Sequence, residues 1–203
     1  MPKKIDRDDY LIVEPYESWL NSKPGKGFFD DSFYRIINFY VLHSPCKVSS
    51  YSPITLESLG WKNPWNSSRF RDTFDKIAGF ASDESFYYHE SKNHFLELWK
   101  QSGFEFFPSE DLSEYAVLIH AGESNPRMDL LHHIRNSLAH GRFSVVKDNR
   151  EYYLFFEDVA TIRGLNGALV VNSRVCLKKS TLIAWIDFFE QKKYTDNFLS
   201  LMI

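Results

Sequence analysis

Cysteine is nearly missing from this chain. Cys46 and Cys176 are its only two, and neither belongs to a Cys-x-x-Cys pair. That excludes a disulfide framework and a zinc ribbon. Long apolar runs are missing as well. No stretch approaches the roughly eighteen apolar residues that a membrane helix needs. The first residues, with Lys3, Lys4, Asp6, Arg7, Asp8 and Asp9, contain no apolar signal core. The chain therefore reads as cytoplasmic, with no membrane partner. An excess of one charge is also lacking: the net charge is −3, which excludes bulk electrostatic capture of nucleic acid by the whole protein. There is no Gly-x-Ser-x-Gly elbow, no His-Glu-x-x-His, no Gly-rich dinucleotide fingerprint after a strand and no Cys/His cluster. His89 and His94 lie five apart, where helical metal ligands would need three or four. Lys23-Pro24-Gly25-Lys26-Gly27 lacks the spacing of a P-loop and reads as a plain linker. No metal site and no cofactor is expected.

Aromatic residues, by contrast, are abundant. They make up 17% of the 203 residues, with 18 Phe and 11 Tyr, so a bulky core in a single domain is expected. Residues 1–27 read as an N-terminal segment and loop, and 28–140 as a helical bundle. Asp30 or Asp31 caps a helix carrying Phe33, Ile36, Ile37, Tyr40 and Val41. A short helix is expected over Pro53 to Leu59. Ser67 or Ser68 caps a helix with Phe70, Phe74, Ile77, Ala78 and Ala81 on one face. Another helix is expected from Glu84 to Lys100, with Phe95, Leu98 and Trp99 inward. A further one follows Ser109, carrying Leu112, Tyr115, Ala116 and Ile119. After Gly141 the period changes. Residues 141–179 read as a hairpin (143–146 and 152–156 around a turn at 147–150) and a third strand over 168–177. Ser180 or Thr181 caps a last helix with Leu182, Trp185, Ile186 and Phe189 on one side, and an apolar tail, 198–203, packs down. The expected architecture is mainly α, a bundle with a small antiparallel β element before its last helix.

The stretch with chemistry in it is Asn125 to Phe143. Asn125 is a good N-cap, Pro126 suits the first helical position, and Gly141 supplies a left-handed stop. At 100° per residue Leu130, Leu131, Ile134 and Leu138 share a core stripe. Asp129, His133, Asn136 and His140 fall on roughly the opposite side, with Arg135 at the border. A solvated helix face would carry Lys and Glu; this one carries groups that move protons and stabilise anions. From Arg127 to Arg150 five basic residues stand against two acids, so the locality is positive on an acidic chain.

The run Arg135-Asn136-Ser137-Leu138-Ala139-His140, with Ile134 before it and Gly141-Arg142-Phe143 after it, resembles the signature of the HEPN superfamily (higher eukaryotes and prokaryotes nucleotide-binding). The match covers about fifteen residues. The resemblance implies a HEPN-like helical fold and a metal-independent endoribonuclease, often a homodimer whose motif helices meet at a composite site. It implies that RNA is the substrate and that the setting is a toxin or a phage-defence effector, with any antitoxin or activator unidentified. One departure stands out. Where the subgroup regulated by a nucleotidyltransferase has a Tyr two residues after the His, this chain has Arg142, so that regulation is not expected.

Metal-free RNA cleavage needs a base for the 2′-hydroxyl proton, an acid for the leaving oxygen and a cation near the phosphorane. On that basis His140 carries proton transfer, Arg135 stabilises phosphate charge, and Asn136 orients His140 or the phosphate. Arg142 and Lys147 are candidates for flanking phosphates, and His133 and Asp129 for supporting partners. One copy of the motif has one strong His candidate, so a two-fold dimer would supply both acid and base. The alternative is a catalytically silent domain of the same kind that binds RNA, a nucleotide or a protein partner.

Overall fold

The computed structural model describes residues 6–21, 27–46, 54–80, 84–91, 94–104, 106–109, 112–162 and 164–200, with 21 and 192–200 as backbone only. Among these residues are five α-helices: α1 (Asp31–Ile37), α2 (Ser68–Ile77), α3 (Phe95–Gln101), α4 (Pro126–Ala139) and α5 (Lys179–Ser200). Six strands accompany them: β1 (Ile12–Val13), β2 (Phe86–His89), β3 (Tyr115–Ile119), β4 (Phe143–Asp148), β5 (Glu151–Thr161) and β6 (Leu169–Lys178). The strands form one mixed sheet in the order β2-β3-β6-β5-β4, and β1 pairs with β6 beyond the end of β3. Only β2 and β3 run parallel among these pairs. No helix of the described residues is long and apolar enough to cross a membrane.

The mainly α, HEPN-like bundle expected from the sequence is therefore not the fold, which is α/β. Two helices were expected where strands stand. Tyr115–Ile119 is buried at every residue, and a short continuous apolar run satisfies the helical and the strand period equally well. Its neighbour Phe86–His89 is aromatic and suits a half-buried strand; the helix expected over 84–100 begins only at Phe95. The hairpin and third strand do form, but as β6, β5 and the edge strand β4 of the larger sheet rather than as a separate insert. The short helix expected over Pro53 to Leu59 is a turn at 56–60, and its first residue lies outside the described residues. Ala81 and 201–203 also lie outside them, as do the side chains of 198–200.

Alternation along the strands sends side chains to two cores. Ala116, Leu118, Leu154, Phe156, Val175 and Leu177 face α1, α2, α4 and α5. Tyr115, Val117, Ile119, Phe155 and Cys176 face α3, with its Phe95, Leu98 and Trp99. Two helix caps are those read from the sequence: the Asp30 and Ser67 side chains accept from the N–H groups of Phe33 (3.0 Å) and Phe70 (3.4 Å). The last helix begins at Lys179, so Ser180 and Thr181, expected to cap it, lie inside its first turn. The expected stripes of α2 and α5 meet in the larger core. There Phe74 and Trp185 stack with centroids 4.3 Å apart and planes 3° from parallel. The indole Nε1–H of Trp185 also donates to the Phe74 carbonyl at 2.9 Å, so this buried indole leaves no orphan donor. Replacing Trp185 by Ala removes the ring and leaves a cavity, and should cost about 3–5 kcal/mol of unfolding free energy in urea titrations. A loss below about 1 kcal/mol would show that the core closes around the gap and that the stack is not a principal support.

Candidate functional site

The helix that carries the motif is α4, and its ends are built as its sequence dictates. The Asn125 side chain accepts from the N–H groups of Arg127 and Met128, both at 3.1 Å, with Pro126 at the first helical position. At the other end Gly141 has φ of +66°, the left-handed conformation that lets the chain turn back. The Arg142 N–H then donates to the Ser137 carbonyl at 2.8 Å and the Gly141 N–H to that of Leu138 at 3.2 Å. These two bonds form a Schellman motif. It fixes His140 at the helix cap, where its side chain is exposed.

Between these ends α4 is almost wholly buried. Leu130, Leu131, Ile134 and Leu138 fill the larger core, as their spacing requires. The polar side is buried as well, against β3, β5 and the loop after β3. Asp129, fully buried, accepts from the backbone N–H of Ala121 (2.8 Å) and of Glu123 (3.0 Å). Its second oxygen accepts from the Tyr88 hydroxyl at 3.1 Å and meets Nδ1 of His120 at 2.9 Å. Burial opposes ionisation, but the His120 bond and the two N–H donors hold this carboxyl below the ordinary 3.8. One turn on, Nδ1 of His133 meets Asp158 Oδ2 at 2.7 Å and Nε2 meets the Ile119 carbonyl at 2.8 Å. Both partners are acceptors, so both ring nitrogens carry protons. Burial would lower the His133 pKa, yet the bond and charge of Asp158 raise it above the ordinary 6.5.

The next turn opens the site. Asn136 Nδ2 donates to the same Asp158 oxygen at 3.3 Å, and its Oδ1 accepts from Arg135 Nη1 at 2.9 Å. Asn136, His140 and Arg142 then line a cleft of about 460 Å³. Its other walls are the Pro15–Tyr16 turn, Glu157 to Thr161 of β5, and Leu169 of β6. Arg135 is tied to this cleft through Asn136. Asp129 and His133 stand behind it, buried along the same helix. Arg142 lines it, but its guanidinium is engaged: Nη2 pairs with Glu157, and Nη1 donates to the carbonyls of Pro15 (3.0 Å) and Glu14 (3.4 Å). Lys147 lies near the β4–β5 turn, 5.4 Å over the Tyr152 ring, and does not line the cleft. The local excess of positive charge is reduced in the same way at Arg127, whose Nε donates to Asp75 at 2.9 Å.

Three residues of this site had no role in the sequence reading. Asp158 and Glu157 lie in β5 beyond the segment read as strand, and Tyr16 sits in a stretch without a motif. Two adjacent acids inside an apolar, aromatic run are a signal of buried pairing, because such ions are otherwise too costly to bury. No group of three or more His, Cys, Asp or Glu side chains stands together as a metal site among the described residues. Comparisons with protein-family models, with curated proteins and with solved structures give no match to this chain.

The His133–Asp158 pair makes stability pH-dependent. The folded protein holds the His133 proton more tightly than the unfolded chain does, whose value is near the ordinary 6.5. The pair's contribution is thus fully present below about pH 6.5 and fades as pH rises through the raised folded value. The difference in urea stability between the wild type and His133→Gln should be larger at about pH 6 than at about pH 9. A difference that is flat, or that grows with pH, would show a neutral imidazole at this position.

Proposed function

We propose that the cleft at the C-terminal end of α4 cleaves RNA without a metal ion. The observation that carries this reading is the shared cleft of exposed His140 and Asn136, with the Asn136 amide fixed between Arg135 and Asp158. An exposed imidazole on a rigid helix end can move protons near neutral pH, and an Arg held alongside offers a permanent charge to phosphate oxygens. In the reaction the 2′-oxygen attacks the adjacent phosphorus and the bond to the 5′-oxygen breaks. His140 takes the 2′-hydroxyl proton or gives one to the departing oxygen. Arg135 offsets the extra negative charge of the phosphorane. Asn136 positions Arg135 through its carbonyl oxygen. Arg142, committed to Glu157 and to the carbonyls of residues 14 and 15, contributes by holding the cleft's wall.

The likeness of this helix to HEPN text supports the same chemistry, through Arg135, Asn136 and His140; the α/β frame around the helix adds nothing to it. One chain offers one exposed histidine here, so a second copy is the natural source of the complementary acid or base. From Met128 to Ile134 the helix is buried on every side. Two copies would therefore meet at its exposed end, around Ala139, His140 and Gly141. A toxin or defence role fits an enzyme of this kind.

The test is a cleavage time course on tRNA and total RNA with EDTA present, run for the wild type and for His140→Ala. His140 is exposed, so its removal should leave the fold intact by circular dichroism while the rate falls roughly 10²–10⁴-fold. Equal cleavage by both proteins would remove His140 from the mechanism. If the wild type binds RNA in a salt-dependent way and never cuts it, the domain is instead a silent binder.

A further inference from the structure

Among the described residues Tyr16, Phe29, Tyr34 and Phe106 are exposed aromatics, and Tyr16 is the most open of them at 91%. Of these four it is Tyr16 that sits on the wall of the cleft holding His140. An aromatic ring in water contributes nothing to the core, and its backbone is not loose. The Pro15 and Glu14 carbonyls accept from Arg142 Nη1 at 3.0 and 3.4 Å, and the Glu14 N–H donates to the Glu17 carboxylate at 3.0 Å. Arg142 is itself locked by buried Glu157, which also accepts from Arg174 Nε at 2.9 Å. A chain of buried polar contacts thus runs from the sheet to the turn and holds an exposed ring at the cleft. Beside its polar groups the cleft has an apolar lining, including Val159, Ala160 and Leu169. A flat apolar group carrying a phosphate nearby satisfies both kinds of lining at once.

We infer that Tyr16 is the stacking platform for a nucleobase of single-stranded RNA, next to the phosphate presented to His140. This rests on the RNA-cleaving reading and adds its substrate form: an unpaired strand, gripped by a base's face and so with little sequence preference. A paired helix would keep its bases stacked on each other and out of reach of the ring. Because the turn is pinned before RNA arrives, little ordering is left for binding to offset.

The experiment uses wild type, Tyr16→Ala and Tyr16→Phe with two probes. One is a short labelled single-stranded RNA of mixed sequence. The other is the same strand with 2′-O-methyl groups, which cannot attack its own phosphate. Anisotropy on the methylated strand reads binding alone, and cleavage of the unmodified strand gives kcat and KM. Tyr16→Ala should weaken binding and raise KM roughly tenfold, with kcat nearly unchanged, and Tyr16→Phe should behave as wild type, since a base stacks on either ring. Equal affinity of wild type and Tyr16→Ala, with cutting intact, would overturn the assignment of Tyr16 and leave the nuclease reading standing. Loss of affinity in Tyr16→Ala from a protein that never cuts would support Tyr16 and sink the nuclease reading. A wild type that neither binds nor cuts would overturn both. Tighter binding of the methylated strand once annealed to its complement than of that strand alone would also overturn the inference.

Discussion

A buried ion has to be paired, and two adjacent carboxylates in β5 impose that requirement on everything around them. Glu157 and Asp158 lie on one strand, so the pleat turns them to opposite faces of the sheet. Glu157 gathers Arg142 and Arg174, and the Arg174 guanidinium lies 4.9 Å over the rings of both Trp99 and Phe107, which joins the sheet to the α3 layer. Asp158 meets His133 and Asn136, which joins the sheet to α4. Removing one partner of such a pair typically costs about 3–5 kcal/mol, because the other ion stays buried without it. Hydrophobic burial could be met by many arrangements of these elements. The charge pairs accept far fewer, and they fix how α4 and the residues after it sit on the sheet.

The candidate site inherits its rigidity from those pairs. Asn136 is held from both sides, the Schellman motif sets His140 at the helix end, and Arg142 reaches across to the Pro15–Tyr16 turn. His140 is thus exposed on a fixed helix end, and Asn136 and Arg142 are held by partners of the surrounding framework. For the proposed reaction such an arrangement would position the reacting groups before substrate arrives, a large source of rate enhancement in enzymes generally. The same burial explains why Asp129 and His133, chemically attractive in the sequence, stand behind the cleft as supports.

How much of this was legible in the sequence depended on whether the signal was local. The caps at Asp30, Ser67 and Asn125, the glycine stop at Gly141 and the core stripes of α2, α4 and α5 are set by neighbours in the chain, and all were readable. The hairpin was readable for the same reason: its turn carries Asn149 in the left-handed region. The sheet was not. Tyr115–Ile119 becomes a strand because β2 and β6 flank it, and nothing within five apolar residues says so. At 84–100 the apolar period of α3 continues backward through aromatic residues that pair in the sheet, so periodicity does not mark where the helix begins. In the site, Asn136 and His140 were found because they share one helix. Asp158, Glu157 and Tyr16 were missed because they reach the cleft from distant parts of the chain, and periodicity carries no information about such meetings.

The most direct measurement is the chemistry of the cut ends. Attack by the 2′-oxygen can only leave a 2′,3′-cyclic phosphate on one fragment and a free 5′-hydroxyl on the other. Mass spectrometry of a defined RNA after digestion in EDTA should find that pair of ends at every cut, the cyclic phosphate upstream and the 5′-hydroxyl downstream. Fragments bearing a 5′-phosphate and a 3′-hydroxyl would mean that water, not the 2′-oxygen, is the nucleophile. That result would contradict proton transfer by His140 as described.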